Sequence, residues 1–264
     1  MSVTKGIAVV TGASSGIGAV YADRLAERGY DLVLVARSAD RLANVADRIR
    51  AKTGRKVDLL PADLADATDL ARVEAFLKAT PDIDMLVNNA GLGGTAKLVD
   101  ADVDQMTSLI ALNVTALTRL TYAIVPQFVA RGAGTIVNIA SIVAINPEAL
   151  NGVYGGSKAF VVAFSQSLRH ELEGSGVQVQ VVLPGATATD FWAIAGRPVE
   201  LLPSAIVMSG EDLVDSALIG LDRGEFVSIP SLQDGALFDA YETARQAMLG
   251  KLSAATPAPR YRAA

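Results

Sequence analysis

The chain has 264 residues, 51% of them hydrophobic and 19% charged, with a net charge of -5 and no cysteine. This composition supports a large buried core. It excludes a disordered chain, disulfides, thiolate metal sites and a cysteine nucleophile, and without a basic cluster it argues against a nucleic-acid partner.

Ile7 to Val10 is a short apolar strand, followed by glycines at positions 12, 16 and 18 and then a helical pattern. Gly12 suits a tight turn, Gly16 close approach of a ligand, and Gly18 close packing of helix on strand. The spacing G-x3-G-x-G departs from the dinucleotide fingerprint G-x-G-x-x-G, so the stretch alone reads either as an ordinary turn or as a phosphate cradle at a helix N-terminus. Further strands are expected over 31–36, 56–60, 83–88, 135–139, 177–183 and 225–229, with helices over 17–28, 40–52, 66–78, 102–130, 154–173 and 211–223. This alternation predicts a three-layer, doubly wound α/β fold of the Rossmann kind, with a mostly parallel sheet of about seven strands. Ligands of such a sheet lie beyond the C-terminal strand ends.

No polar linker divides the chain, so one domain over 1–252 is expected, with a loose tail over 253–264. No uninterrupted apolar run reaches the roughly eighteen residues that span a bilayer, and the segment after Lys5 meets glycines too early for a signal-peptide core. A cytoplasmic protein without a membrane partner is the expectation.

At the end of the second strand Val35-Ala36 is followed by Arg37-Ser38, where an NAD-binding fold usually carries a carboxylate. Arg37 is either a surface residue or the partner of a 2′-phosphate, which favours NADP(H) over NAD(H). Asp40 reads as the cap of the next helix. Asp63 and Leu64 follow the third strand, and Asn88-Asn89-Ala90-Gly91 closes the fourth. Both are either plain turns or cofactor contacts, Asp63 to an adenine amino group and Ala90 and Gly91 to a ribose.

The strongest chemical pattern is Tyr154-Gly-Gly-Ser-Lys158. On a helix, residues four apart share a face, so phenol and ammonium stand one turn apart. This is either a surface pair or a tuned acid–base pair, in which Lys158 and an oxidised nicotinamide lower the pKa of Tyr154. Ser141, at the end of the fifth strand, can polarise the same substrate carbonyl. The single histidine, His170, falls on the polar side of a helix, which leaves acid–base chemistry to other side chains; no metal site is expected.

Thr11-Gly12-x3-Gly16-Ile17-Gly18, Asn88 to Gly91, Asn113, Ser141, Tyr154-x3-Lys158 and Pro184-Gly185 together resemble the short-chain dehydrogenase/reductase family in its single-domain form, over roughly positions 4 to 230. The resemblance implies a catalytic tetrad: Tyr154 as general acid, Ser141 on the substrate oxygen, Lys158 on the nicotinamide ribose, and Asn113 holding a water that links Lys158 to solvent. It implies a cofactor site of Gly12, Ser14, Ser15, Gly16, Ile17, Gly18, Arg37, Asp63, Leu64, Asn89, Ala90, Gly91, Tyr154, Lys158, Pro184, Gly185 and Thr187, the last anchoring the carboxamide. Gly156 stands where the family often has alanine, and the loop after Ser141 lacks a glycine often found there.

Residues 190–204 fall where the family carries a lid. Phe191, Trp192, Ile194, Leu201 and Leu202 make it apolar, with Ile142, Val143 and Leu150 as an opposite wall, unless the segment is an ordinary core helix. The expected activity is NADPH-dependent reduction of an apolar ketone, aldehyde or 3-oxoacyl-type substrate. Alternatives are an alcohol or hydroxysteroid dehydrogenase working toward oxidation and a dinucleotide-binding sensor. An S-adenosylmethionine methyltransferase of related fold leaves Ser141, Tyr154 and Lys158 unexplained. A small-molecule substrate and a homodimer or homotetramer through the helices over 102–130 and 154–173 complete the expectation.

Overall fold

A computed structural model describes residues 5–262. In chain order its elements are β1 (Ile7–Thr11), α1 (Gly16–Glu27), β2 (Asp31–Ala36), α2 (Ala39–Thr53), β3 (Val57–Pro61), α3 (Ala67–Ala79), β4 (Ile83–Asn88) and α4 (Val103–Ile110). A π-helical turn, Ala111–Ala116, joins α4 to α5 (Leu117–Arg131). There follow β5 (Gly134–Ile139), α6 (Gly152–Glu171), β6 (Val177–Val182), the single turn α7 (Phe191–Ile194), α8 (Gly210–Asp222), β7 (Val227–Ser228) and α9 (Ala236–Ala247).

The seven strands lie in the order β3-β2-β1-β4-β5-β6-β7, and every adjacent pair is parallel. Each expected strand forms, with end shifts of a residue or two. Strand alternation sends Ala8, Val10, Leu32 and Leu34 to one face, where Tyr21 and Leu25 of α1, Leu42 and Ile49 of α2 and Leu213 of α8 cover them. Val9, Val33, Leu86 and Ile136 face the other way, under Leu70 and Leu77 of α3, Ile124 and Phe128 of α5 and Leu168 of α6. Both faces are buried, which is why the strand sequences are nearly continuous in apolar residues.

The strand order reverses between β1 and β4, the kind of switch point beyond whose C-terminal strand ends doubly wound sheets bind their ligands. Polar groups tie the buried half of the sheet to its helices. Asn88 Nδ2 donates to Asn138 Oδ1 at 2.9 Å and Thr121 Oγ1 at 3.1 Å, and Asn138 Nδ2 donates to Ser165 Oγ at 2.9 Å.

The run Val103–Arg131 is long and apolar enough to cross a bilayer by length and composition alone. Its inward residues, among them Leu109, Ala116, Leu120, Ile124 and Phe128, are core positions of this α/β layer.

The chain forms two compact units, the first ending at Ser231 and the second beginning at Leu232. The second unit contains α9, a helix absent from the sequence expectation, in which no residue is buried. Its N-terminus is closed by Asp234, whose Oδ1 accepts from Ala236 N–H at 3.0 Å. The expected tail lies inside this unit, where Pro259–Tyr261 makes one 3-10 turn; residues 263 and 264 are outside the described residues.

Candidate active site

The β1–α1 turn is built by its backbone. Gly12 and Gly16 adopt φ values of 66° and 52°, a left-handed conformation that penalises any side chain. Gly18 serves contact instead of conformation, because a Cβ there would overlap the Gly12 carbonyl oxygen and the Asn89 amide. Val35 O accepts from Gly12 N–H at 2.8 Å, which fixes the turn to β2. Thr11 and Asn89 fix it to β4: Thr11 Oγ1 accepts from the N–H groups of Asn89 and Ala90 at 2.9 and 3.0 Å, and Asn89 Nδ2 donates to Thr11 O at 2.9 Å. Asn89 thus shapes the cradle, and Thr11, not singled out as a site residue from sequence, is its partner.

The N-terminus of α1 has no side-chain cap and no acidic residue in its first turn. By contrast α2, α3, α4 and α8 are each capped by a Ser or Asp side chain and carry a carboxylate in the first turn. Those four helices satisfy their own orphan N–H groups, whereas α1 leaves its donors and positive dipole end facing the turn, as an anion requires. The cap of α2 is Ser38, whose Oγ accepts from Arg41 N–H at 3.3 Å; Asp40 sits in the first turn and is not the expected cap. Arg37 stands exposed just before that cap, with no hydrogen bond or ion pair to any described residue. Asp63 accepts from Ala65 N–H at 3.0 Å, while Leu64 is buried in the core.

At its other end the site is built from side chains. Asn151 caps α6 through its Oδ1, which accepts from Val153 N–H at 2.8 Å, and the first turns of this helix bury Tyr154, Ser157 and Lys158 on one face. Lys158 Nζ donates to Ile139 O at 2.9 Å, at the end of β5, and lies 5.9 Å from the Tyr154 ring centroid. Burial lowers the Lys158 pKa to about 8. Tyr154 is only 5% exposed, and burial raises its pKa to about 12, opposed by the hydrogen bond with the Ser141 side chain. The sequence reasoning expected Lys158 to lower the phenol's pKa. Burial has the larger influence on both groups, and it disfavours the charged form of each.

Asn113 lies in the π turn, which breaks the α-helical register where this side chain must turn inward. Its Oδ1 accepts from Leu92 N–H at 2.8 Å, and its Nδ2 donates to Leu92 O at 2.9 Å and Ser157 Oγ at 3.0 Å. Ser157 Oγ in turn donates to Tyr154 O at 2.8 Å. Asn113 therefore joins the loop after β4 to the first turn of α6 through Ser157, a residue not singled out from sequence although it lies inside the Tyr154-to-Lys158 pattern.

Ser141 Oγ donates weakly to Pro184 O at 3.4 Å. Thr187 Oγ1 donates to Gly185 O at 3.1 Å, and Trp192 Nε1 donates to Thr187 O at 3.0 Å. A small apolar cluster of Leu109, Val143 and Tyr154, flanked by Leu150 and Phe191, surrounds the phenol. The Phe191 ring lies 5.7 Å from that of Tyr154. Ile142 sits at the border of exposure; in the 190–204 segment Trp192 is buried, Phe191 and Leu202 are half-buried, and Ile194 and Leu201 are 64% and 67% exposed. His170 is remote from this chemistry, with its side chain 86% exposed.

A parallel sheet with a glycine cradle at its switch point, and Ser, Tyr and Lys converging beside it, defines a dinucleotide-dependent oxidoreductase. The short chain dehydrogenase profile matches residues 6–197, and the chain belongs to that family of oxidoreductases acting on alcohol and carbonyl groups. A short-chain dehydrogenase from Sphingobium yanoikuyae, solved in complex with NADPH, is 48% identical and superposes with a TM-score of 0.94, covering 97% of this chain and 100% of that one. The bulky-bulky ketone specific alcohol dehydrogenase from Comamonas testosteroni is 42% identical with a TM-score of 0.90, covering 98% and 99%. An uncharacterized oxidoreductase of Staphylococcus epidermidis is 37% identical over 191 residues, 71% of this chain and 80% of the relative.

Proposed function

We propose that the protein is an NADPH-dependent carbonyl reductase of apolar ketones, aldehydes or 3-oxoacyl-type substrates. The observation that carries the reading is the pairing on α6: the buried Tyr154 phenol, hydrogen-bonded to the Ser141 side chain, with the buried Lys158 one turn behind it. The Sphingobium yanoikuyae and Comamonas testosteroni enzymes, one solved with NADPH and one specific for bulky-bulky ketones, support the cofactor and the substrate class.

The residues present fit the cofactor. The uncapped N-terminus of α1, with Ser14, Ser15, Gly16 and Ile17, suits the pyrophosphate, and the unpartnered Arg37 suits a 2′-phosphate. Asp63 and Leu64 would border the adenine, Ala90 and Gly91 the nicotinamide-side ribose, and Thr187 the carboxamide. A Cβ at Gly91 would stand 3.2 Å from Asn113 Oδ1 and 3.5 Å from Lys158 Nζ, so the bare glycine keeps the space before Lys158 open.

When bound, the cofactor would supply the hydride that the carbonyl carbon takes up. Ser141 holds the carbonyl oxygen, and Tyr154 delivers its proton to that oxygen as charge develops there, giving the alcohol. An alkoxide is a stronger base than a phenolate, so the transfer runs downhill even from a phenol of raised pKa. Lys158 places positive charge beside the phenolate left behind, and Asn113 and Ser157 hold the turn that carries both groups. Alcohol oxidation uses the same groups in reverse and gains ground as pH rises. The exposed Ile110, Tyr122, Val129 and Phe160 on α4, α5 and α6 support assembly as a homodimer or homotetramer, and the protein is read as cytoplasmic.

NADPH oxidation across a carbonyl panel tests the reading. Tyr154→Phe is expected to lower kcat by about 10²–10⁴-fold while NADPH still binds. Equal rates for the two proteins would remove Tyr154 from the mechanism.

A further inference from the structure

The loop 92–96 is fixed by side chains that belong to the catalytic framework. Asn113 holds both backbone groups of Leu92, while Asn151 Nδ2 donates to Ala96 O at 2.7 Å and Asn151 N–H to Gly94 O at 3.3 Å. Facing this loop is the turn α7, bound to it by Thr95 Oγ1, which donates to Ala195 O at 2.5 Å. Between the two, the tip of the Phe191 ring occupies the place a Cβ of Gly93 would fill, overlapping it at Cζ and Cε2.

Gly93 is not among the glycines with left-handed backbone. Its conformation therefore tolerates an alanine, and the missing side chain serves the Phe191 ring instead of the turn. The ring's other neighbours are Tyr154, with centroids 5.7 Å apart and an interplanar angle of 45°, and Trp192, which it meets edge-on at 5.7 Å. Trp192 is buried and anchored to Thr187 O through its indole N–H. With the loop pinned on one side and Trp192 fixed behind, a ring expelled from the Gly93 notch moves toward the space over Tyr154.

We propose that Gly93 is a specificity-determining residue: its notch stows the Phe191 ring, and the depth of that notch sets how large a carbonyl substituent fits beside Tyr154. The inference rests on the carbonyl-reductase reading. Adding one methyl at position 93 moves the tip of a flexible side chain and no backbone, so the variant folds. One methylene of misfit in an apolar pocket changes selectivity by about tenfold or more.

The experiment compares wild type, Gly93→Ala, Phe191→Ala and the double variant with NADPH on two ketones, acetophenone and the bulkier valerophenone. Gly93→Ala is expected to lower the kcat/KM ratio of valerophenone to acetophenone by about tenfold or more, and removal of the ring in the double variant restores it. A ratio unchanged in Gly93→Ala, or one that stays depressed in the double variant, overturns the proposal. Trp192 is the only tryptophan in the chain, so its emission and near-UV circular dichroism report the ring's position without turnover. Spectra of Gly93→Ala superimposable on those of wild type would overturn ring displacement. Wild-type protein that reduces neither ketone would fail the substrate reading alone, while the Trp192 signal still decides whether the notch holds the ring.

Discussion

The two ends of the site are made in different ways. At the β1–α1 end the main chain does the shaping: two left-handed glycines, a third in contact with a carbonyl, and helix donors left without a cap. Arg37 stands beside it in solvent with no partner among the described residues. At the α6 end the backbone is ordinary helix, and the site is made of the side chains of Ser141, Tyr154 and Lys158, each less than a tenth exposed. An exposed cation held by nothing can be exchanged with little structural consequence. A buried ammonium has consequences for the whole fold, because its desolvation opposes the folded state.

The largest effect that separates the two ends is therefore a pH dependence of stability at Lys158. Its pKa falls from 10.5 in the unfolded chain to about 8 in the fold. Below about pH 8 both states are protonated and the burial penalty is fully present, about 3 kcal/mol at 1.36 kcal/mol per pKa unit. Between pH 8 and 10.5 the unfolded state binds more protons than the native state, so stability rises with pH. Tyr154 acts with the opposite sign: its folded pKa is raised to about 12, and its contribution is lost as pH climbs from 10 toward that value. Urea unfolding at roughly pH 7.5 and 9.5 avoids most of the tyrosine contribution. Relative to Lys158→Met, the wild type is expected to gain about 2 kcal/mol between these points. Parallel curves for the two proteins would mean that Lys158 is solvated in the fold.

At the other end the expected effect is smaller and confined to binding. Arg37→Asp replaces a free guanidinium by a carboxylate that repels a 2′-phosphate and accepts from a 2′-hydroxyl. The ratio of kcat/KM for NADPH to that for NADH should fall by about tenfold to a hundredfold, in line with one charged hydrogen-bonding contact. The urea midpoint should hardly move, since no described residue pairs with Arg37. An unchanged cofactor ratio would sink the assignment of Arg37.

The same contrast explains what could be read without coordinates. Gly12, Gly16 and Gly18 are each demanded by local geometry within one strand–turn–helix unit, so their pattern carries its own meaning. The seven strands were equally readable, because burial on both faces leaves an apolar run that only short turns interrupt. Tyr154 and Lys158 share a helix face by spacing alone, but the depth of that face depends on β5, α4 and the loops around it. The burial that raises one pKa and lowers the other was therefore invisible in the sequence. Thr11, Ser157 and Gly93 act through partners distant in sequence, at Asn89, Asn113 and Phe191. α9 did carry a local signal, with Leu237, Phe238 and Tyr241 at helical spacing after Asp234. None of its residues is buried, so no core face reinforced that signal.

The smallest expected effect lies at the α6 end. Gly155 and Gly156 sit side by side in the first turns of α6, yet their surroundings differ. A Cβ on Gly155 would approach Pro147 Cβ at 3.1 Å, whereas one on Gly156 meets nothing within 4 Å. Neither has a left-handed backbone, so neither glycine is required by conformation. Gly156→Ala should therefore stabilise the protein by up to about 1 kcal/mol, through helix propensity and a less flexible unfolded chain. Gly155→Ala gains the same propensity but must move Pro147, and the two terms roughly cancel. Differential scanning calorimetry of both variants reads the difference. A lower midpoint for Gly156→Ala than for wild type would mean that position 156 is covered in the assembled protein. Because α6 also offers the exposed Phe160, the covering surface would then be a neighbouring subunit's, and light scattering of the variant would show a smaller assembly.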